Sequence, residues 1–165
     1  MSGILKFVMS KLLLISHRGN ISGSNPLREN QPEYISETLL QGYNVEIDVW
    51  LLNDIFYLGH DKPEYIINYE YLINNGDRLW LHCKNLAALD ELALEPSVNC
   101  FAHNEDDYVL TSKNYVWVYP RNIKLTANCI ACMPERVKGW DISKAAGICS
   151  DFLLSYEKLM RPELF

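Results

Sequence analysis

The sequence predicts an α/β protein, a shortened or incomplete TIM-type (β/α) barrel of parallel strands, on three observations. Short aliphatic runs alternate with segments of helical spacing, the strand-and-crossover order of a parallel sheet. Each run stops at polar residues, where parallel barrels carry their chemistry. The turn after the first run is His17-Arg18-Gly19 rather than the glycine-rich phosphate loop expected of a doubly wound sheet. At 165 residues the chain reads as one domain, 1–165, with a sizeable core. It is nevertheless shorter than the ~200 to 250 residues of an ordinary barrel.

The elements follow from local pattern. Leu12 to Ser16 is a continuous aliphatic run, as in a strand buried on both faces. Gln31 to Gln41 sets Tyr34, Ile35, Thr38 and Leu39 at helical spacing, and Gly42 stops it. Val45 to Leu52 alternates Val45, Ile47, Val49 and Leu51 with Glu46, Asp48 and Trp50, so both acids share one strand face. Asn53-Asp54 turns the chain, and Ile55 to Leu58 returns as a hairpin arm that carries His60 back toward Asp48.

Further on, Tyr69 to Asn74 reads as a short helix, Leu79 to Cys83 as a strand and Leu86 to Leu94 as a helix. Asn99 to Ala102, Val116 to Tyr119, Cys129 to Met133 and Gly147 to Cys149 read as strands. Ile142 to Ala146 and Leu153 to Met160 read as helices. The connections 104–115 and 121–128 are too short or too poorly patterned for covering helices, which predicts one bare flank and hence a homodimer or higher oligomer.

Composition narrows the function. Apolar residues make up 48% and charged residues 22%, ordinary for a soluble globular chain. The net charge of -6, with lysine and arginine scattered, argues against a nucleic-acid surface, and an anionic ligand would need a local positive site. Five cysteines without the density of a disulfide framework point to a reducing, cytoplasmic setting. The apolar start, Ile4 to Ile15, is broken by Lys6 and Lys11 and too short for a bilayer, so no stable membrane insertion is expected, with a signal peptide as the lesser alternative.

The chemistry-bearing residues concentrate between Leu12 and Asp61: His17-Arg18-Gly19, Glu29-Asn30, Glu46-Ile47-Asp48 and Gly59-His60-Asp61. Carboxylates, imidazoles and a guanidinium gathered so closely are costly unless something binds between them. Gly147-Ile148-Cys149-Ser150-Asp151 closes the series.

In order and spacing these motifs resemble the glycerophosphodiester phosphodiesterase family of the phospholipase C-like phosphodiesterase superfamily. The resemblance implies a phosphoric diester hydrolase of lipid metabolism acting on glycerophosphodiesters or similar small headgroup diesters. His17 and His60 match its catalytic histidines, Arg18 the arginine beside the first of them, Glu46 and Asp48 its metal-binding pair, and Glu29 its acid near metal and phosphate. Oxygen donors of this kind suit one divalent ion, magnesium or calcium. Arg18 and Lys84 would contact the phosphate. At the third strand the family usually carries Glu-x-Lys, where this chain has His82-Cys83-Lys84. The lysine is kept, and His82, two residues away on the same face, stands where a glutamate ligand would. The alternative reading is a catalytically weak phosphate-binding or assembly protein that retains the site.

Overall fold

The computed structural model describes residues 12–160 and Pro162, so the expectation drawn from the apolar run at Ile4 to Lys11 lies outside the described residues. Among these, the chain forms a mixed α/β fold around one curled, ten-stranded sheet. The strands are β1 (Leu13–His17), β2 (Asn44–Leu52), β3 (Ile55–Leu58), β4 (Tyr65–Ile67), β5 (Leu79–Cys83), β6 (Asn99–Phe101), β7 (Tyr108–Leu110), β8 (Val116–Val118), β9 (Cys129–Cys132) and β10 (Gly147–Ser150). The helices are α1 (Pro32–Leu40), α2 (Tyr69–Asn74), α3 (Leu86–Ala93) and α4 (Leu153–Met160), with a single 3-10 turn at Pro134–Arg136.

A parallel run β6-β5-β2-β1-β10-β9-β8 forms the body of the sheet. It is an incomplete barrel: β6 and β8 do not pair, and the turn after β7 spans the gap. There the Ser112 amide donates to the Cys100 carbonyl (2.8 Å), and Ser112 Oγ accepts from the Cys100 amide (2.9 Å).

Two features correct the sequence reading. The sheet is not wholly parallel, because β3, β4 and β7 are antiparallel appendages. The two of these that periodicity missed, β4 and β7, have three residues each, too few to display an alternation. Ile142 to Ala146 is a turn rather than a helix: Asp141 Oδ1 accepts from the Ser143 amide (3.0 Å), which breaks the helical ladder at its start. Its apolar spacing instead reflects burial of Ala145 beside Trp140. The connections 104–115 and 121–128 carry no helix, as expected, and leave Tyr108 and Leu110 exposed.

Register explains why the site sits where it does. His17 pairs with Glu46, Asp48 with His82, His82 with Phe101, and Cys149 with both Ile15 and Cys132. Neighbours in register point to the same side, so the inner face is layered. Its lower layer is apolar: Ile15, Trp80, Phe101, Trp117, Ile130 and Cys149 pack together, with Trp117 and Phe101 centroids 4.6 Å apart. One step further along each strand the inner face turns polar. On the outer face, Val45, Ile47 and Val49 of β2 pack under Ile35 and Leu39 of α1 and Leu92 of α3. Strand β2 therefore has both faces buried along its middle, with Glu46 and Asp48 on the inner one.

Candidate functional site

The polar layer opens into a cavity of about 480 Å³ lined by His17, Arg18, Glu46, His60, His82, Lys84, His103, Tyr119 and Arg136 among others. Each strand end delivers its side chain through a specific local device.

At the end of β1 the chain must turn sharply. Arg18 adopts φ +56° and Gly19 φ +97°, and a Cβ on Gly19 would lie 2.6 Å from the Tyr34 ring. The left-handed arginine is held by its amide on the Glu46 carbonyl (2.9 Å) and by its carbonyl, which accepts from the Asn30 amide (3.2 Å). His17 Nδ1 donates to Asp151 Oδ1 (2.9 Å), so the dyad joins the ends of the first and last strands. Burial works against the Asp151 charge, but the hydrogen bonds from His17 and Asn20 hold its carboxyl below the usual range.

Asp48 and Glu46 share the floor in different electrostatic states. Asp48 is fully buried; it accepts from His82 Nδ1 on Oδ1 (2.9 Å) and from Asn30 Nδ2 on Oδ2 (2.9 Å). Arg18 Nε lies 2.8 Å from Oδ2 as an ion pair outside hydrogen-bond angles, and Lys84 Nζ lies 3.5 Å from Oδ1. Burial opposes its ionisation, yet His82 and Arg18 keep Asp48 far below an ordinary carboxyl. Glu46 is the opposite case: burial first, and then the Asp48 charge, push it well above the carboxylate range. Its Oε2 is buried without a hydrogen-bond partner.

Lys84 is aimed by the β5–α3 turn. Asn85 caps α3 by accepting from the Ala88 amide (3.2 Å) and clamps both backbone groups of Leu51 (3.2 and 2.8 Å), while the Lys84 amide donates to the Val49 carbonyl (2.8 Å). His60 stands on the turn after β3, half-exposed and paired through Nδ1 with Asp61 Oδ1 (2.7 Å). That turn depends on Gly59, whose φ is +147° and whose absent Cβ would collide with the Lys62 carbonyl.

The structure thus brings His17, Arg18, Glu46, Asp48, His60, His82 and Lys84 together. Glu46, Asp48 and His82 offer ligand atoms all within 4.8 Å of one another, with His82 Nδ1 3.8 Å from Glu46 Oε1, and this group could hold a metal ion. The donor set fits one, since the orphaned Glu46 Oε2 lacks a counter-charge and a cation there would supply it.

Glu29, expected as a metal ligand, stands apart from this group. Its Oε2 accepts from Arg18 Nη1 (3.2 Å) and its Oε1 from Asn20 Nδ2 (2.9 Å) and Ser24 Oγ (2.7 Å), so it fixes Arg18 instead.

Among the cavity and supporting residues that the sequence reading left out of its site are Asp151, Asn20, Arg136 and His103. Asp151 was the most accessible of these, because it ends the last strand as the other site residues end theirs. His103 stacks on His82 with ring centroids 4.3 Å apart and meets Tyr119 edge-on at 4.4 Å. Burial, with His82 and Lys84 adding to it, pushes the His103 imidazole down to about 4. On β9, Cys129 is buried, whereas Cys132 is partly buried and lines the cavity.

No protein-family model, curated protein or solved structure matches this chain. No helix among the described residues is long and apolar enough to cross a membrane.

Proposed function

We propose that the protein is a phosphodiester hydrolase acting on glycerophosphodiesters or similar small headgroup diesters, and that its curled sheet is a shortened TIM-type barrel. The observation that carries this reading is the convergence on one cavity of two carboxylate-paired histidines, a metal-capable Glu46, Asp48 and His82 group, and the cations Arg18 and Lys84. The motif resemblance gives the same reaction class.

Asp151 holds the proton on His17 Nδ1, which leaves Nε2 to take a proton from the attacking hydroxyl. His60, steadied by Asp61, gives a proton to the leaving alcohol. Arg18 and Lys84 neutralise the phosphate oxygens, and Glu29 and Asp48 hold Arg18 for that contact. Glu46, Asp48 and His82 would hold a divalent ion, magnesium or calcium, whose chemistry is Lewis-acid stabilisation of charge on the phosphoryl oxygens. Incubation with glycerophosphocholine followed by ³¹P NMR, with and without EDTA, tests this: the phosphodiester signal is expected to convert to phosphomonoester, more slowly with chelator.

One observation favours a second reading, phosphate binding without efficient turnover. Both oxygens of Asp48 are already engaged, by His82 and Lys84 on one and by Asn30 and Arg18 on the other. Saturable binding of inorganic phosphate by calorimetry with no diester hydrolysed would select it.

A further inference from the structure

Asn20 is neither a strand-end acid nor a base, yet it is fully buried beside the cavity. Its Nδ2 donates to Asp151 Oδ1 (2.8 Å) and to Glu29 Oε1 (2.9 Å). Those two carboxylates hold His17 and Arg18 respectively. A single amide nitrogen therefore bridges the partner of the proposed proton acceptor and the partner of the proposed phosphate contact, and the path His17–Asp151–Asn20–Glu29–Arg18 returns to adjacent positions in the chain.

The orientation of this amide is fixed by the backbone. Asn20 Oδ1 accepts from the Asn25 N–H (3.0 Å) and faces the Tyr34 hydroxyl at 3.5 Å, so the oxygen must point to those donors and the NH₂ to the carboxylates. Its own amide donates to the His17 carbonyl (3.0 Å), which closes the turn that carries both His17 and Arg18.

No other side chain of this size does the same work. Glu29 and Asp151 are both ionised anions drawn to one point, and only a neutral double donor joins them without adding charge. An aspartate there would set a third carboxylate against two others.

We infer that Asn20 is a positioning residue that locks His17 and Arg18 into one geometry, so that proton acceptor and phosphate contact are set together. The inference rests on the roles proposed above for those two residues. It predicts that disturbing Asn20 damages both functions at once, although Asn20 touches neither substrate nor reacting atom.

The test compares wild-type protein with Asn20→Asp and Asn20→Ser, and with Leu92→Ala as a control for general destabilisation, since Leu92 is fully buried in α3 among the outer-face core residues. Two readouts are taken on each folded protein: kcat and KM for bis(p-nitrophenyl) phosphate, and the hydrogen-bonded Nδ1 proton of His17 by ¹⁵N-resolved NMR. Both Asn20 variants are expected to lose ten-fold or more in kcat, to raise KM, and to lose the His17 Nδ1 proton to solvent exchange. Leu92→Ala is expected to lower the Tm yet keep that proton and the wild-type kcat. If Asn20→Asp does not fold, the neutral Asn20→Ser carries the test. Unchanged kcat and an unchanged Nδ1 proton in the folded Asn20 variants overturn the inference. A wild-type protein that hydrolyses no diester, but whose Nδ1 proton is lost in those variants, overturns the proposed function and upholds the positioning relation.

Discussion

His17 Nδ1 lies 2.9 Å from Asp151 Oδ1, which ties the first strand of the sheet to the last across 134 positions of sequence. The contact depends on the parallel pairing of β1 with β10, whose register sets Ile15 beside Cys149 and carries both strands on toward the cavity. Replacing Asp151 by Asn removes the charge while keeping the shape, and releases His17 from its Nδ1–H state. We expect kcat for a diester to fall about 10²-fold, the scale of one well-placed proton-transfer group, with KM little changed. Steady-state kinetics on the purified variant checks this; unaltered kcat would separate the dyad from the chemistry.

Glu46 carries a prediction of opposite sign for stability and function. Its buried, unpartnered Oε2 is a cost that the metal-free protein bears. Burial holds the Glu46 carboxyl well above its usual range, a cost at neutral pH that Glu46→Gln removes, so the variant should stabilise the metal-free protein by about 1 kcal/mol and raise its Tm. It should also abolish binding of a divalent ion. Differential scanning calorimetry and titration calorimetry with Mg²⁺ and Ca²⁺ measure the two arms. A lower Tm together with undiminished ion binding would remove Glu46 from the ligand set.

Asn30 holds Asp48 in two ways, donating from Nδ2 to its carboxylate and accepting its amide N–H on Oδ1 (3.0 Å). Asn30→Ala leaves two buried groups of Asp48 without these partners, which costs about 1–3 kcal/mol each when nothing replaces them. Chemical denaturation should show a loss of that order. Loss of only a few tenths of a kcal/mol would mean that Arg18, His82 and Lys84 suffice to hold Asp48.

Acid should destabilise the fold in two stages. His103 is pushed down to about 4, below the ~6.5 of a free imidazole, so the unfolded chain binds more protons and stability falls as pH drops from about 6.5 to about 4. Asp151 and Glu29 are held below the usual carboxyl range, so their contribution is full above about pH 4 and is lost as pH falls through their lower folded values. Glu46, held well above the carboxylate range by burial, acts with the opposite sign over the upper stage, so the decline is read in a Glu46→Gln background, where Tm should fall from pH 7 to pH 3. His103→Phe should flatten the upper stage and Asp151→Asn the lower; slopes unchanged in both would contradict these assignments.

Much of this was legible in the sequence, for identifiable reasons. The alternation of Glu46 and Asp48 with Val45, Ile47 and Val49 is a local signal, and it correctly places both acids on the inner face of a strand buried on both sides. The hairpin through Asn53-Asp54 likewise brings His60 to the same cavity as Glu46. What remained hidden depends on contacts distant in sequence. Nothing near Glu29 distinguishes a metal ligand from a partner of Arg18, because the choice is made by where the chain from Asn20 to Arg28 folds back. The role of Asn20 needs the approach of Asp151 from the far end of the chain. Ile142 and Ala145, three apart, imitate a helix face although burial beside Trp140 is their common cause.

Proton transfer by His17 and His60 during diester hydrolysis in this cavity is tested by turnover of bis(p-nitrophenyl) phosphate by wild type, His17→Ala and His60→Ala, each with and without EDTA. Hydrolysis by the wild type that chelator lowers, with a loss in kcat of about 10²-fold or more in each variant, is expected if both histidines carry protons. Undiminished turnover in both variants would contradict it.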